Sequence, residues 1–253
     1  MTTARFPDLD GKTVFITGGG SGIGAALTKG FVDQGAKVAF VGRSDYSDFA
    51  GELGETAKTA PLFIQCDVTD TQALQNAMQQ AVDKFGPLGV LVNNAANDLR
   101  MEAINVTEAQ WQDMIDVNLK HYFFACQQAA RLMPDGGTII NFSSISYMFG
   151  AAGMAPYVTS NAGITGMTRA LAREWGDRGI RVNALAPGWV LTEKQLDKWA
   201  TPEGLAKYQA EQCIPEMMKP EDIVGPTLFL ASNASSMVTS QVLVIDAGRV
   251  VTG

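Results

Sequence analysis

Along the whole chain, apolar runs of strand length alternate with segments of helical period. KTVFIT (12–17) and KVAFVG (37–42) flank an amphipathic stretch from Gly22 to Gln34. PLFIQC (61–66) leads into a helical pattern from Thr71 to Phe85. LGVLVN (88–93) is followed, after a loop, by a long helical pattern from Glu108 to Met133. GTIINFS (137–143) precedes a loop rich in glycine and alanine, then a helix over Pro156 to Trp175; IRVNALAP (180–187) and QVLVID (241–246) complete the series. Strands that are apolar at nearly every position are covered on both faces, so this alternation predicts a parallel sheet between two layers of helix. The expected fold class is α/β, a doubly wound parallel sheet (Rossmann fold) in a single domain over 1–253. Residues 188–220 form the one long irregular stretch. A loop of that length in a compact domain is usually functional, which marks it as a substrate loop.

Bulk properties narrow the function classes. The chain has 253 residues, 46% of them hydrophobic, enough for one large soluble domain. No apolar run approaches the ~20 residues that cross a bilayer, and the start, MTTARFPDLDGK, lacks a secretory pattern. A net charge of −7 without a block of Lys or Arg argues against nucleic acid and anionic membranes as partners. Three cysteines far apart in sequence, Cys66, Cys126 and Cys213, fit reduced thiols and a cytoplasmic location. One histidine, His121, leaves little material for a metal site, so none is expected.

The chemistry begins at TGGGSGIG (17–24), set between the first strand and the first helix. Gly18, Gly22 and Gly24 occupy positions one, five and seven of a G-x-x-x-G-x-G pattern, with Ser21 and Ile23 in the same turn. Such a turn lets backbone approach a pyrophosphate, and the helix N-terminus adds free N–H groups and partial positive charge. The second strand ends Val41-Gly42-Arg43-Ser44, without the carboxylate that would take the ribose 2′-hydroxyl of NAD. Arg43 and Ser44 suit a 2′-phosphate, so NADP is the expected cofactor and NAD a tolerated one. Two alternatives stay open here: Arg43 as a solvated surface residue, and Asp45 reaching a ribose hydroxyl.

Together with CDV (66–68), NNAA (93–96), Asn118 in VNLK, SSIS (143–146), Tyr157 and PGWVLT (187–192), the glycine turn makes the chain resemble the short-chain dehydrogenases/reductases over its whole length. The resemblance implies that Asp67 and Val68 contact the adenine and that Asn93 and Ala95 lie along the adenosine. It places Pro187, Gly188, Val190 and Thr192 on the cofactor, with Thr192 near the nicotinamide carboxamide. Read from the residues alone, Asp67 could instead cap the following helix and Asn93 pin a turn. Within the family the chain looks like the bacterial aldose 1-dehydrogenases. NDLR (97–100), NLKH (118–121), DKWATPEG (197–204), EQC (211–213) and IDAGR (245–249) carry that narrower likeness.

The resemblance makes Tyr157 the base for an alcohol proton, Ser144 the group that steadies the substrate oxygen, and Asn118 a helix-distorting member of a proton relay. Where the family has a lysine four residues after the tyrosine, this chain has Asn161. A neutral side chain there still hydrogen bonds but brings no positive charge to a tyrosine whose pKa starts at ~10. Lys120 is a candidate substitute cation. Ser143 is the adjacent alternative to Ser144, although strand alternation turns it the other way. Asn97, Asp98, Arg100, Ser146, Trp189 and Lys194 are the candidate sugar-binding residues, Trp189 lying against an apolar sugar face. Trp111, Phe123 and Phe124 fit burial against another copy in the homotetramer that the family suggests. Two functions of different class stand: a sugar dehydrogenase weakened at residue 161, and a cofactor-binding protein without significant turnover. A short-chain reductase acting on another alcohol or ketone is a further alternative.

Overall fold

The computed structural model describes residues 4–250. Seven strands form one sheet: β1 Thr13–Thr17, β2 Lys37–Gly42, β3 Leu62–Gln65, β4 Leu88–Asn93, β5 Gly137–Phe142, β6 Ile180–Pro187 and β7 Val242–Ile245. Their order is β3-β2-β1-β4-β5-β6-β7, and every neighbouring pair is parallel. Alternate residues of the apolar strands feed two cores. Val14 and Ile16 of β1 pack with Leu27 and Phe31 of helix α1 (Gly22–Asp33) and Leu228 of α10 (Pro220–Ala231). Phe15 points the other way, to Leu74 and Met78 of α3 (Thr71–Phe85) and Cys126 of α5 (His121–Leu132). The strand period of two thus explains why the sequence shows no polar face.

The strand order reverses between β1 and β4, so the loops after these strands diverge and leave a crevice above their C-terminal ends. The glycine turn opens onto one wall of this crevice. The loop after β5 and helix α7 (Ala155–Trp175) form the other.

Three parts of the chain depart from the sequence expectation. The long helix over 108–133 is two helices, α4 (Glu108–Ile115) and α5, joined by one widened π turn over Asp116–Lys120. Asn118 causes it: its Nδ2 donates to the carbonyl of Met114 at 2.9 Å, taking a helix acceptor one turn back. The stretch 188–220 is not irregular but carries α8 (Glu193–Lys198) and α9 (Pro202–Ala210). Thr192 and Thr201 cap them by accepting from the N–H groups of Gln195 and Gly204. Helices of six and nine residues are too short to show a period in sequence. Three further helices, α2 (Ser47–Gly54), the single turn α6 (Ser146–Phe149) and α10, were not predicted; α10 is apolar over IVGPTLFLA (223–231) and holds Pro226 inside, which hid its period.

Candidate active site

A cleft of about 1450 Å³ runs along the C-terminal ends of the central strands. At its first end, Gly18 and Gly22 have φ of +67° and +52°, backbone that side chains rarely adopt. A Cβ on Gly24 would lie 1.8 Å from the Gly18 carbonyl oxygen, so the first turn of α1 can sit this close only with glycine. The N-cap Ser21 makes no side-chain hydrogen bond to that turn, which leaves its N–H groups to the cleft. An uncapped helix N-terminus beneath a side-chain-free loop fits a pyrophosphate.

Beyond the glycine turn, Arg43 and Ser44 line the rim. Arg43 is exposed and forms no ion pair among the described residues. Gly42 has a packing reason: a Cβ there would meet the Tyr46 ring at 2.6 Å, so any side chain at the strand end would require that ring to move. Asp45 does not face the cleft, because its Oδ1 accepts from Ser47 N at 2.9 Å and Ser47 Oγ at 2.6 Å at the start of α2. Asp67 and Val68 line the cleft. Asp67 is not the cap of α3; it accepts from Thr69 N and Oγ1 at 2.9 and 2.8 Å, while Asp70 caps the helix. Burial works to raise the Asp67 pKa, but the Thr69 hydrogen bonds and the Arg43 charge outweigh it and hold the carboxyl below its usual range.

Asn93 corrects an expectation. It is fully buried and outside the cleft, donating to Asn141 Oδ1 at 2.9 Å beneath the sheet end. Its neighbour Asn94 holds the cleft position, donating from Nδ2 to the carbonyls of Thr17 and Gly18 at 3.2 and 3.1 Å. Asn94 thereby ties the glycine turn to β4, and Ala95 lies against Gly18. The parity of the strand end decides between two identical residues, and sequence does not show where a strand stops.

At the other end, Tyr157, Ser144, Asn118 and Asn161 all line the cleft. Asn161 sits one turn after Tyr157 on α7 and donates from Nδ2 to the Tyr157 carbonyl at 2.9 Å. Ser143 also lines the cleft, but its Oγ is engaged, donating to the Asn161 carbonyl at 3.0 Å. Ser144 Oγ faces the cleft and accepts from Ser146 N at 3.2 Å. Burial pushes the Tyr157 pKa above its ordinary value and the Asp98 charge adds to this, while hydrogen bonds from Ser144 and Asn161 offset part of it. Lys120 does not replace a cation at 161: it lies outside the cleft, 3.1 Å from Asp116. Asn118 also clamps the loop after β4, accepting from Asn97 N at 2.8 Å and donating to its carbonyl at 3.0 Å.

Asn97, Asp98, Arg100, Ser146, Trp189 and Lys194 all line this end, together with Gln195, Trp199, Tyr208 and Arg249, which the sequence reading did not single out as site residues. Most of the polar groups engage one another. Asp98 holds Lys194 Nζ and Gln195 Nε2, each at 2.6 Å, and these contacts overcome burial to keep its pKa low. Arg100 stacks on Trp199 at 4.3 Å, and Trp189 Nε1 donates to Gln195 Oε1 at 2.8 Å. Ser146 lines the cleft, and its Oγ is buried without a protein partner. The missed residues come from 188–220 and the C-terminal stretch; Trp199 and Arg249 lie inside stretches that carry the narrower likeness, but their side chains reach this end of the cleft only through the tertiary fold.

The family model described as enoyl-(acyl carrier protein) reductase matches residues 18–249. The chain is 45% identical over 252 residues to a probable galactose dehydrogenase of Rhizobium meliloti, covering 98% of each chain. It is likewise 45% identical to a D-xylose 1-dehydrogenase of Caulobacter vibrioides, over 98% of this chain and 99% of that one. A solved short-chain dehydrogenase/reductase of Serratia marcescens superposes with a TM-score of 0.89 at 36% identity, covering 96% of this chain and 99% of that one. The chain belongs to the short-chain dehydrogenase/reductase family. It is therefore an oxidoreductase of a family that binds NAD(P), and the uncapped α1 terminus and glycine cradle suit that class of cofactor. Among this family member's described residues, no helix is long and apolar enough to cross a membrane.

Proposed function

We propose that this short-chain dehydrogenase/reductase oxidises an aldose, a pentose such as L-arabinose or D-xylose, at C1 to the lactone, with NADP in preference to NAD. Turnover is held down by Asn161. The observation that carries the reading is the 45% identity, end to end, to sugar dehydrogenases in a chain whose cleft sets Tyr157 beside Ser144.

Gly18, Ser21, Gly22, Ile23 and Gly24 would hold the pyrophosphate. Arg43 and Ser44 would take the 2′-phosphate, and Asp67, Val68 and Ala95 the adenosine. Pro187, Gly188, Val190 and Thr192 would line the nicotinamide half, with Asn161 offering a hydrogen bond to its ribose. A bound nicotinamide would supply the acceptor for the hydride leaving the sugar C1. The protein's task is the other proton. Tyr157 Oη accepts the C1 hydroxyl proton as a general base. Ser144 Oγ donates to the substrate oxygen and fixes it near the phenol. Ser146, on the cleft wall two residues after Ser144, would meet a second sugar hydroxyl. The Asp98–Lys194–Gln195 cluster closes the side wall and Trp189 forms an apolar surface for the ring.

The test is production of reduced nicotinamide from a panel of aldoses, with this chain and with Asn161→Lys. Turnover by the lysine variant supports the reading. A second reading, a cofactor-binding protein without turnover, draws on the raised Tyr157 pKa in a site with no cation at 161. It gains if neither chain oxidises an aldose while both bind the nucleotide.

The cofactor preference has its own test. Arg43→Ala removes the charged donor for the 2′-phosphate, and charge-assisted hydrogen bonds contribute about 1.5–3 kcal/mol, so the KM for NADP should rise about 10–100-fold. The KM for NAD should hardly move. Equal losses with both nucleotides would overturn the assignment. The same reading places this protein in a homotetramer, with half-exposed Trp111 and Phe123 of α4 and α5 against another copy. Sedimentation equilibrium measures that assembly, and a monomer at micromolar concentration would contradict it.

A further inference from the structure

We infer that Arg249 is the residue that positions the substrate wall of the cleft and sets which sugars it accepts. Its guanidinium lies between two rings, 4.3 Å from the centre of Phe149 on α6 (Ser146–Phe149) and 4.3 Å from that of Tyr208 on α9. Nε and Nη2 both donate to Glu211 Oε2, the former at 2.8 Å. Two rings and a carboxylate engage the group and its side chain is only 16% exposed, so it is a clamp rather than a free anion site.

From this clamp a string of contacts crosses the cleft. Tyr208 Oη accepts from the Trp189 backbone N–H at 2.6 Å, and the two rings meet edge to face at 5.3 Å. Gly188 makes room, since a Cβ there would lie 2.8 Å from Tyr208 Oη. Trp189 Nε1 then holds Gln195, and Gln195 holds Asp98 on the opposite wall. Arg249 itself is anchored from both sides. Asp246 accepts from Gly248 N at 2.9 Å and Val250 N at 2.7 Å, and the Ala247 carbonyl accepts from Cys213 N and Ile214 N at 2.9 and 3.0 Å. The C-terminal arm therefore fixes the placement of Trp189, the apolar surface offered to the sugar, without touching the reacting atoms. The role of Arg249 as a positioning residue follows from the contacts. Its bearing on sugar choice rests on the proposed sugar dehydrogenase activity.

Two measurements on the full chain separate these parts. Amide hydrogen exchange over 188–210 in Arg249→Ala should quicken about tenfold or more while the sheet is unchanged, as expected when a clamp on a local opening is lost. Unchanged exchange in that segment would overturn the positioning role whatever the substrate. In the Asn161→Lys background, Arg249→Ala should raise the aldose KM about 10–100-fold, with smaller effects on kcat and on nucleotide affinity. Arg249→Lys keeps the charge but not the planar stack and should restore only part of the loss. A KM for nucleotide that rises equally with that for sugar would mean general loosening and would overturn the inference. If the lysine background oxidises no aldose, the sugar reading fails, while the exchange result still judges Arg249.

Discussion

Asn161→Lys should raise kcat for aldose oxidation about 10²–10³-fold at neutral pH, the usual size of one preorganised electrostatic contribution at a reacting group. In the present chain, burial and the Asp98 charge hold the Tyr157 phenol protonated, and the hydrogen bonds from Ser144 and Asn161 only partly oppose them. Oxidation needs the phenolate as proton acceptor. With a pKa above its ordinary ~10, the phenolate fraction grows with every step of pH through neutrality and beyond, so the rate should climb without a plateau below about pH 10. An ammonium one helical turn from the phenol favours the charged form, moving this limb to lower pH. The backbone at 161 is held independently of its side chain, by Ser143 Oγ and Thr165 Oγ1 on its carbonyl, so the change stays local. A pH–rate profile of both chains decides the matter. Equal rates and superposed profiles would show that the base is activated by some other group.

The second large effect belongs to Tyr157→Phe in the Asn161→Lys background. Loss of the hydroxyl should lower kcat about 10²–10⁴-fold, the contribution of a positioned general base. Nucleotide affinity should be unaffected, since the ring remains and the pyrophosphate cradle lies on α1 at the far end of the cleft. The residual rate should lose its rising pH limb. A phenylalanine variant that keeps both its rate and its pH dependence would remove Tyr157 from the mechanism and leave the substrate oxygen with Ser144 alone.

The fold was legible because its signals are local. A strand such as KVAFVG is apolar at almost every step because both its faces are buried, and the glycine turn needs its residues wherever the chain bends under α1. The turn, Arg43, Tyr157, Ser144 and Asn161 are all found by spacing along one or two elements. For the same reason the absence of charge at 161 could be read directly: positions 157 and 161 share a helix face whatever the rest of the chain does.

Other features depend on partners far away in sequence. Asn93 and Asn94 are alike until the end of β4 sends one beneath the sheet and the other to the glycine turn. The π turn at Asn118 exists because that side chain finds the Met114 carbonyl and the Asn97 backbone together. Lys120, a plausible cation by sequence, is spent on Asp116 at the surface. Arg249 becomes part of the substrate wall only when β7 brings the C-terminal arm beside α6 and α9. Periodicity and helix spacing act over a few residues, so the sheet, the glycine cradle and the neutral side chain beside Tyr157 could all be read along the chain. Which polar groups face the cleft and which hold one another depends on the tertiary structure, because a buried donor or acceptor is claimed by whichever partner folding brings within reach.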